Sequence, residues 1–260
     1  MADVRILFLA ILLPAVCIAD ALDECSDMLE ATGAPEYIGD DGAEHVNLCR
    51  VAYVLAYNSE TKVPDWVLED LTVNQLTGRA KRKDNFKADT DIDESHRATL
   101  ADYSGSGFDR GHMAPAADMV FSQSAMDESF LLSNMAPQVG IGFNRHIWKN
   151  LETATRDWAR VNGQVIVITG PVYEGEEFEV IGDGDVFVAT HYYKIIYNPS
   201  RKRVLAFLIP NERLSGRKFG EFRVSVDDVE ELTGIDFLKQ LSARDERRLE
   251  RGVDELWRRR

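Results

Sequence analysis

The chain has 260 residues, of which 45% are hydrophobic, which is enough for one sizeable core or two small domains, and we expect one domain. Acidic side chains outnumber basic ones by 44 to 30, so the formal net charge is −14 at pH 7. This charge argues against a protein that binds nucleic acid over a broadly basic face, because such binding depends on releasing counterions from phosphates. Any phosphate-binding site therefore has to be locally basic.

The N-terminus has the layout of a signal peptide. The charged start Met1–Arg5 is followed by the apolar stretch Ile6–Ala19 and then by an acidic sequence. This stretch is shorter than the roughly 20 residues that a membrane-spanning helix needs. We therefore predict that residues 1–19 are cleaved and that residues 20–260 form a single mature domain. The protein is expected to be exported, either periplasmic or secreted, with no stable membrane association after cleavage.

Cysteine usage agrees with export. Cleavage would remove Cys17 and leave Cys25 and Cys49 as a possible pair in an oxidising compartment. A disulfide between them would stabilise the fold by about 3 kcal/mol, largely by restricting the unfolded chain. Its expected role is to hold the N-terminal arm. A lipoprotein acylated at Cys17 is a weaker alternative, because no leucine stands at Pro14–Val16.

Strands and helices alternate irregularly along the chain. Runs rich in β-branched and aromatic residues predict four strands: Val51–Tyr57, Val165–Thr169, Val186–Tyr197 and Val204–Pro210. The turn sequence Tyr197–Arg201 predicts an antiparallel hairpin between the last two. Apolar periodicity predicts three helices: Asn144 to about Val161, Ser225–Leu232, and Phe237 to the C-terminus, whose final arginines at 258–260 suit the helix dipole. This mixture predicts the α+β class.

Polar residues of catalytic type are concentrated between Phe108 and Glu152. They lie in four short segments: Asp109-Arg110-Gly111-His112, Leu132-Ser133-Asn134, Gly142-Phe143-Asn144 and Glu152. Polar groups in a strand, strand, helix order indicate one site. His112 is suited to activate a water molecule, since a histidine pKa is expected near neutrality.

Asn144 and Glu152 are predicted on neighbouring parts of one helix face, about 80° apart around the axis. A neutral amide oxygen suits a hard cation such as Mg²⁺, which keeps much of its hydration shell. Glu152 lies roughly 12 Å further along the axis, so it would hold the metal's waters. From the helix alone, a position at or near the N-cap explains Asn144 without a metal, and Glu152 alone would be a surface charge.

The same helix predicts a basic flank beside this face. Arg145, Lys149, Arg156 and Arg160 project within roughly 60° of one another. They are either the local basic surface that the acidic chain otherwise lacks or an ordinary solvated face.

The motifs together resemble the DNA/RNA non-specific endonucleases, the ββα-metal group that includes secreted bacterial nucleases and mitochondrial endonuclease G. The signature is Asp109-Arg110-Gly111-His112, and further blocks of the family follow the same order along about residues 45–240. These blocks are His96–Thr99, Ala101–Tyr103, Gly105–Gly107, Leu132–Gln138 and Asn144–Glu152. The resemblance implies a ββα-metal nuclease fold with a mainly antiparallel central sheet flanked by helices.

The resemblance also implies the roles of the site residues. His112 matches the general base, and Asn144 matches the sole direct protein ligand of one Mg²⁺, for which Mn²⁺ is a possible substitute. Asn134 matches the residue that helps to place the phosphate or the base, and Glu152 the one that binds the metal's waters. Arg110 would contact phosphate or brace the loop.

Two features depart from the family pattern. The loop from Gln138 to Asn144 is one residue longer than in endonuclease G. The upstream arginine that some members use in catalysis is left unassigned among Arg82, Lys83 and Lys87. Asp109 resembles a structural acceptor at the turn more than a catalyst.

The predicted function is metal-dependent hydrolysis of phosphodiester bonds in DNA and RNA, leaving 5′-phosphate ends by resemblance. A site made of one metal and phosphate contacts does not read bases, so little sequence specificity is expected. A catalytically idle nucleic-acid-binding module is an alternative that the presence of both His112 and Asn144 disfavours. A phosphoesterase of small substrates is another. A homodimer is possible, and the sequence leaves the oligomeric state open.

Overall fold

The computed structural model describes residues 21–40 and 42–258. The predicted signal peptide, residues 1–19, lies outside this part of the chain, as do Arg259 and Arg260. Within it, none of the helices has both the length and the apolar character required to traverse a bilayer.

Strands and helices alternate along the described residues. The strands are β1 Glu36–Tyr37, β2 His45–Cys49, β3 Val54–Asn58, β4 Val63–Thr72, β5 Phe108–His112, β6 Met135–Val139, β7 Gln164–Val172, β8 Val180–Ile181, β9 Val186–Phe187, β10 His191–Asn198, β11 Arg203–Pro210, β12 Arg223–Val224 and β13 Ile235–Asp236. The α-helices are α1 Ser26–Leu29, α2 Leu100–Tyr103, α3 Gln123–Glu128, α4 Lys149–Asn162, α5 Val226–Thr233 and α6 Ala243–Glu250. A wide π-helical segment, Gly140–Trp148, leads directly into α4, and short 3₁₀ turns cover Ala21–Cys25, Ala116–Asp118, Leu132–Asn134 and Phe219–Phe222.

The centre of the fold is a seven-stranded antiparallel sheet in the order β12-β11-β10-β7-β4-β3-β2. Successive residues of one strand enter opposite cores: in β7, Val165 and Val167 pack on one face and Ile166 and Ile168 on the other. Both faces are thus covered, which explains why the central strands are continuous hydrophobic runs and not alternating ones. The predicted α+β class and mainly antiparallel sheet are confirmed.

The two faces of the sheet have different coverings. One face packs against the segment around the β5–β6 hairpin and against α4, through side chains that include Met113, Met135 and Leu151. The other face packs against the N-terminal segment, α5 and α6, through residues such as Val229 and Leu249. The catalytic candidates and the C-terminal helices therefore lie on opposite sides of the sheet.

The predicted disulfide forms between Cys25 and Cys49, whose Cα atoms are 5.8 Å apart. Cys25 precedes α1, and Cys49 ends β2 at the edge of the central sheet. The bond therefore ties the N-terminal arm to the sheet, as expected.

Two predicted segments differ in the structure. The strand predicted over Val186–Tyr197 is two strands, because β9 pairs with β8 whereas β10 pairs with β7 and β11. The helix predicted from Phe237 is only α6, since Phe237 is fully buried in the core and Ser242 caps a helix that starts later. Arg258 lies beyond the end of α6, so its predicted role at a helix dipole is wrong.

Other elements agree with the sequence. The β10–β11 hairpin pairs Asn198 with Arg203 across the predicted turn. Helix α5 begins after Ser225, whose hydroxyl accepts a hydrogen bond from the Asp228 backbone N–H, and ends at the left-handed Gly234. Helix caps and turns depend on residues that are close together in sequence, which is why these elements were predictable.

Candidate active site

A hairpin followed by a helix holds the candidate residues. Strands β5 and β6 pair antiparallel, with His112 opposite Met135, and the chain then turns at Ile141 and Gly142 before the helical conformation begins. Gly142 makes this turn possible: its φ is +99°, and a Cβ there would lie 2.8 Å from the backbone nitrogen of Leu214. This is the strand, strand, helix order expected from the sequence.

A cavity of about 440 Å³ opens between the hairpin and the helix. Its lining residues are Arg82, Phe86, Arg110, His112, Pro115, Ala116, Ala117, Asn144, Arg145, Lys149, Glu152 and Arg156. A second cavity of about 720 Å³ adjoins it and shares Arg82, Phe86, Arg110, Asn144 and Arg145. The first cavity presents five cationic side chains and one carboxyl group, although the whole chain is acidic. A polyanion is therefore attracted to this surface in particular.

His112 lies against two aromatic rings at the end of β5. Its ring centroid is 5.7 Å from that of Phe86 and 5.1 Å from that of Phe130. Its Nε2 is buried and has no hydrogen-bond partner among the described residues. Burial, helped by the positive charge of Arg82, lowers the pKa of His112 to about 3. The expectation of a pKa near neutrality is therefore wrong for the free protein, in which this imidazole is neutral.

Asn144 is oriented by Asp109. The Asn144 side-chain nitrogen donates to Asp109 Oδ2 at 3.0 Å, which fixes which end of the amide is the donor. Arg145 binds the same carboxylate through Nε at 2.7 Å and Nη2 at 2.5 Å. These contacts lower the pKa of Asp109 against the opposing effect of burial. Asn144 lies in the first helical turn after Gly142, near the N-cap as expected, but its side chain bonds Asp109 and caps no helix N–H among the described residues.

Glu152 faces the same cavity from the first turn of α4. Burial raises its pKa to about 7, against the opposing effects of Lys194 and Arg156. Arg156 is itself held by Asp118, whose Oδ1 accepts from Arg156 Nη1 at 2.7 Å, and both side chains are largely buried. Glu152 is thus a cavity carboxyl group and not an isolated surface charge.

Two arginines reach the cavity from outside the helix. The guanidinium of Arg110 lies 4.3 Å from the ring centroid of Phe86, and Arg110 forms no ion pair among the described residues. Arg82 lies 5.0 Å from the ring of Phe130 and pairs with Asp84 at 2.6 Å. Lys83 and Lys87 do not line either cavity. Arg82 is therefore the upstream cation that the structure brings to the site.

Asn134 does not line the cavity, because it is completely buried. Its Oδ1 accepts from the backbone N–H of Ala114 at 2.9 Å, and its Nδ2 donates to the carbonyls of Ala114 and Ser129. A side chain with three such bonds has no donor free for a phosphate. The geometry favours the other expected role, in which Asn134 places the base by holding the segment that follows His112.

The predicted basic flank is divided. Arg145, Lys149 and Arg156 line the cavity, whereas Arg160 pairs with Asp157 at 3.1 Å and belongs to the solvated surface. Phe86 was missed by sequence reasoning, since nothing local distinguishes a phenylalanine that packs against a catalytic candidate from one in the core. Its position depends on the chain path between β4 and α2.

Comparisons with known proteins agree with this geometry. The family model for DNA/RNA non-specific endonucleases matches residues 33–244. Nuclease C1 of Cunninghamella echinulata var. echinulata is 43% identical in an alignment of 219 residues that covers 78% of this chain and 86% of that protein. Human mitochondrial endonuclease G is 36% identical in an alignment of 209 residues that covers 75% of this chain and 70% of that protein. A crystal structure of an endonuclease G in complex with EndoGI, reported for the mechanism of its inhibition, matches with a TM-score of 0.75 and 33% identity, covering 85% of this chain and 94% of that one.

The fold and the site define a nuclease of the ββα-metal class. The chain belongs to the DNA/RNA non-specific endonuclease family, and the resemblance based on its motifs is confirmed. Its activity is endonucleolytic hydrolysis of phosphodiester bonds in nucleic acids with little sequence specificity.

Proposed function

We propose that this endonuclease cuts both DNA and RNA with the help of Mg²⁺, or Mn²⁺ in its place, and that His112 is its general base. The observation that supports this most is that His112, Asn144 and Glu152 line one cavity together with five cationic side chains. A site of this composition contacts phosphates and offers nothing that distinguishes bases. The nucleic acid is bound only at this cavity, and the acidic rest of the protein repels it. Weak overall binding favours release of the cleaved product and turnover.

His112 accepts the proton of the attacking water on its imidazole ring. The side chain is half-buried and lines the cavity, so the ring is available to a water there. A substrate phosphate next to Arg82 offsets the positive charge that lowers the pKa of His112. Substrate binding therefore raises the basicity of the imidazole when the proton has to be accepted.

The donor set fits a hard divalent cation. Because Asn144 commits its nitrogen to Asp109, its Oδ1 remains available as a neutral oxygen ligand, and the Glu152 carboxylate is suited to hold the ion's waters. When bound, the ion supplies neutralisation of the charge that develops on the phosphate and the leaving oxygen.

The arginines bind and orient the substrate. Arg110 keeps its guanidinium against Phe86 and has its donors free for phosphate oxygens. Arg82 lies over the ring of Phe130 and lines the same cavity, and it takes the role of the upstream catalytic arginine. Asn134 holds the backbone of Ala114 and thereby positions His112.

The test is digestion of supercoiled plasmid and of a structured RNA by the purified protein, with Mg²⁺ or with EDTA. We expect cleavage of both substrates, loss of cleavage in EDTA, and a rate lower by about 10²- to 10⁴-fold in His112→Ala. His191→Ala is the matched control, since this histidine pairs with Glu174 at 2.9 Å and lies outside the cavity. Equal rates for His112→Ala and the wild type would remove His112 from the mechanism. Inhibition by mononucleotides without cleavage of either polymer would favour a phosphoesterase of small substrates.

We also propose that residues 20–260 form the endonuclease domain and that residues 1–19 are a signal peptide for export to the periplasm or the exterior. Mitochondrial transit peptides are rich in arginine and poor in acidic residues, whereas this segment has one Arg and one Asp around a long apolar stretch. The Cys25–Cys49 disulfide fits an oxidising compartment. N-terminal sequencing of the mature protein tests the cleavage site, and an intact Met1 would contradict it.

A further inference from the structure

Five carboxyl groups meet on the face of the sheet opposite the active site. Asp227 and Glu230 come from α5, Asp236 from β13, and Glu246 and Glu250 from α6. Oxygens of Asp227, Glu230 and Glu250 lie within 4.8 Å of one another, and so do those of Asp236, Glu246 and Glu250. Glu250 is thus common to both groups, which we call the C-terminal acidic cluster.

Glu250 is an unusual residue for a surface helix. It is only 6% exposed, and its Oε1 is buried without a hydrogen-bond partner among the described residues. It is also the last residue of α6, where the helix dipole disfavours a negative charge. A buried carboxylate without a partner is costly, and here carboxyl groups of other residues lie close to it.

No basic side chain among the described residues pairs with Glu250 itself. In the described chain Glu250 forms no salt bridge, and the contact of Arg251 with Asp227 is 4.0 Å long and exposed on both sides. Lys239 pairs with Glu36, and its charge partly offsets the rise in the pKa of Asp236 that burial causes. The electrostatic consequence is that burial, followed by the charges of Glu230 and Glu246, raises the pKa of Glu250 to about 8.

We propose that the C-terminal acidic cluster is a binding site for a hard divalent cation, Ca²⁺ by its chemistry, with Glu250 as the central ligand. Ca²⁺ takes six to eight oxygen ligands at about 2.3–2.6 Å, so two oxygens on opposite sides of the ion are about 5 Å apart. The carboxyl oxygens of each group all lie within such a span of one another. Mg²⁺ fits less well, because it keeps several waters and demands octahedral geometry.

The bound ion would join three elements that are separate in sequence. It would tie the end of α6 to α5 and to β13, which pairs with β1 in the N-terminal arm. Its role is therefore to stabilise the C-terminal part of the fold. Catalysis should not depend on it, because the β5–β6 hairpin and α5–α6 pack on opposite faces of the sheet.

The test measures thermal unfolding of the purified protein in EDTA and in millimolar Ca²⁺, for the wild type, Glu250→Gln and Glu231→Gln. Glu231 is the matched control, since it is an exposed acid on α5 outside both groups. Ca²⁺ is expected to raise the Tm of the wild type and of Glu231→Gln but not that of Glu250→Gln. In EDTA, Glu250→Gln should be at least as stable as the wild type, because a neutral amide avoids the cost of a buried carboxylate. A purely structural role of Glu250 would instead lower the Tm in both buffers.

Calorimetric titration with Ca²⁺ in an Asn144→Ala background separates this site from the active site. We expect binding in that background and its loss when Glu250→Gln is added, while plasmid cleavage by the single Glu250→Gln variant stays unchanged. Should Glu250→Gln fail to fold, Asp236→Asn and Asp227→Asn replace it, and binding retained in both would overturn the proposal. A Tm that ignores Ca²⁺ but rises as the pH falls from 8 to 6 would also overturn it, since protons would then neutralise the cluster.

Discussion

Replacing Asp109 by Ala should weaken metal dependence without greatly weakening the fold. Asp109 lies outside the proposed coordination sphere, but it accepts the hydrogen bond that orients the Asn144 amide. Without it, the amide is free to turn its NH₂ group towards the cation, and the ligand oxygen is no longer held in place. Residues that orient a metal ligand typically contribute about 10- to 100-fold to metal affinity. We therefore expect the Mg²⁺ concentration for half-maximal cleavage to rise by a factor in that range.

The stability cost should be small by comparison. Asp109 also binds Arg145, but the Arg145 side chain is 62% exposed, and solvent-exposed ion pairs contribute about 0–1 kcal/mol. Arg145→Ala is the matched variant, because it removes that ion pair and leaves the Asn144–Asp109 bond in place. It should shift the Mg²⁺ requirement much less than Asp109→Ala does.

The assay is the initial rate of cleavage of a fluorescent duplex as a function of Mg²⁺, together with the Tm of each variant. Excess Mg²⁺ should restore most of the rate of Asp109→Ala, whereas Asn144→Ala lacks the ligand itself and should recover far less. An unchanged Mg²⁺ requirement in Asp109→Ala, with its Tm also unchanged, would refute the idea that this hydrogen bond orients the ligand.

Three further predictions concern pH, the disulfide and substrate binding. Because the raised pKa of Glu152 is about 7, its carboxylate forms as the pH rises through that value, so cleavage at low Mg²⁺ should increase over the same interval. Saturating Mg²⁺ should move this increase in the cleavage rate to lower pH. If the same increase persists in Glu152→Gln, the titrating group is not Glu152. Replacing Cys25 and Cys49 together by Ser should lower the free energy of unfolding by about 3 kcal/mol, measured by denaturant unfolding. An unchanged denaturant midpoint would count against a stabilising role of the disulfide. Arg82→Ala should lower kcat more than it raises KM, and an effect on KM alone would make Arg82 only a binding residue.

Sequence reasoning succeeded where neighbouring residues determine the outcome. The signature that ends in His112, the helix that follows Gly142 and the hairpin of β10 and β11 are all specified by patterns within a few turns of chain. It was less accurate where a strand changes partners, as between β9 and β10, because pairing depends on segments far away in sequence.

Within the active site, the sequence by itself determined which residue types are present and in what order, because spacing along a strand or helix is local geometry. Only the tertiary structure decided their chemical state. His112 is neutral because Phe86 and Phe130 partly bury its ring and the charge of Arg82 lies nearby, and all three come from other segments of the chain.

The same division applies to the rest of the molecule. The excess of acidic residues is visible in the composition, but composition does not show that cations gather at one cavity while Glu250 is buried beside other carboxyl groups on the other face of the sheet. Electrostatic energy depends on distance and burial, and both are set by the packing of elements that are remote in sequence. Chain order therefore identified the family and the reaction, and three-dimensional packing decided where charge is attracted, repelled or neutralised.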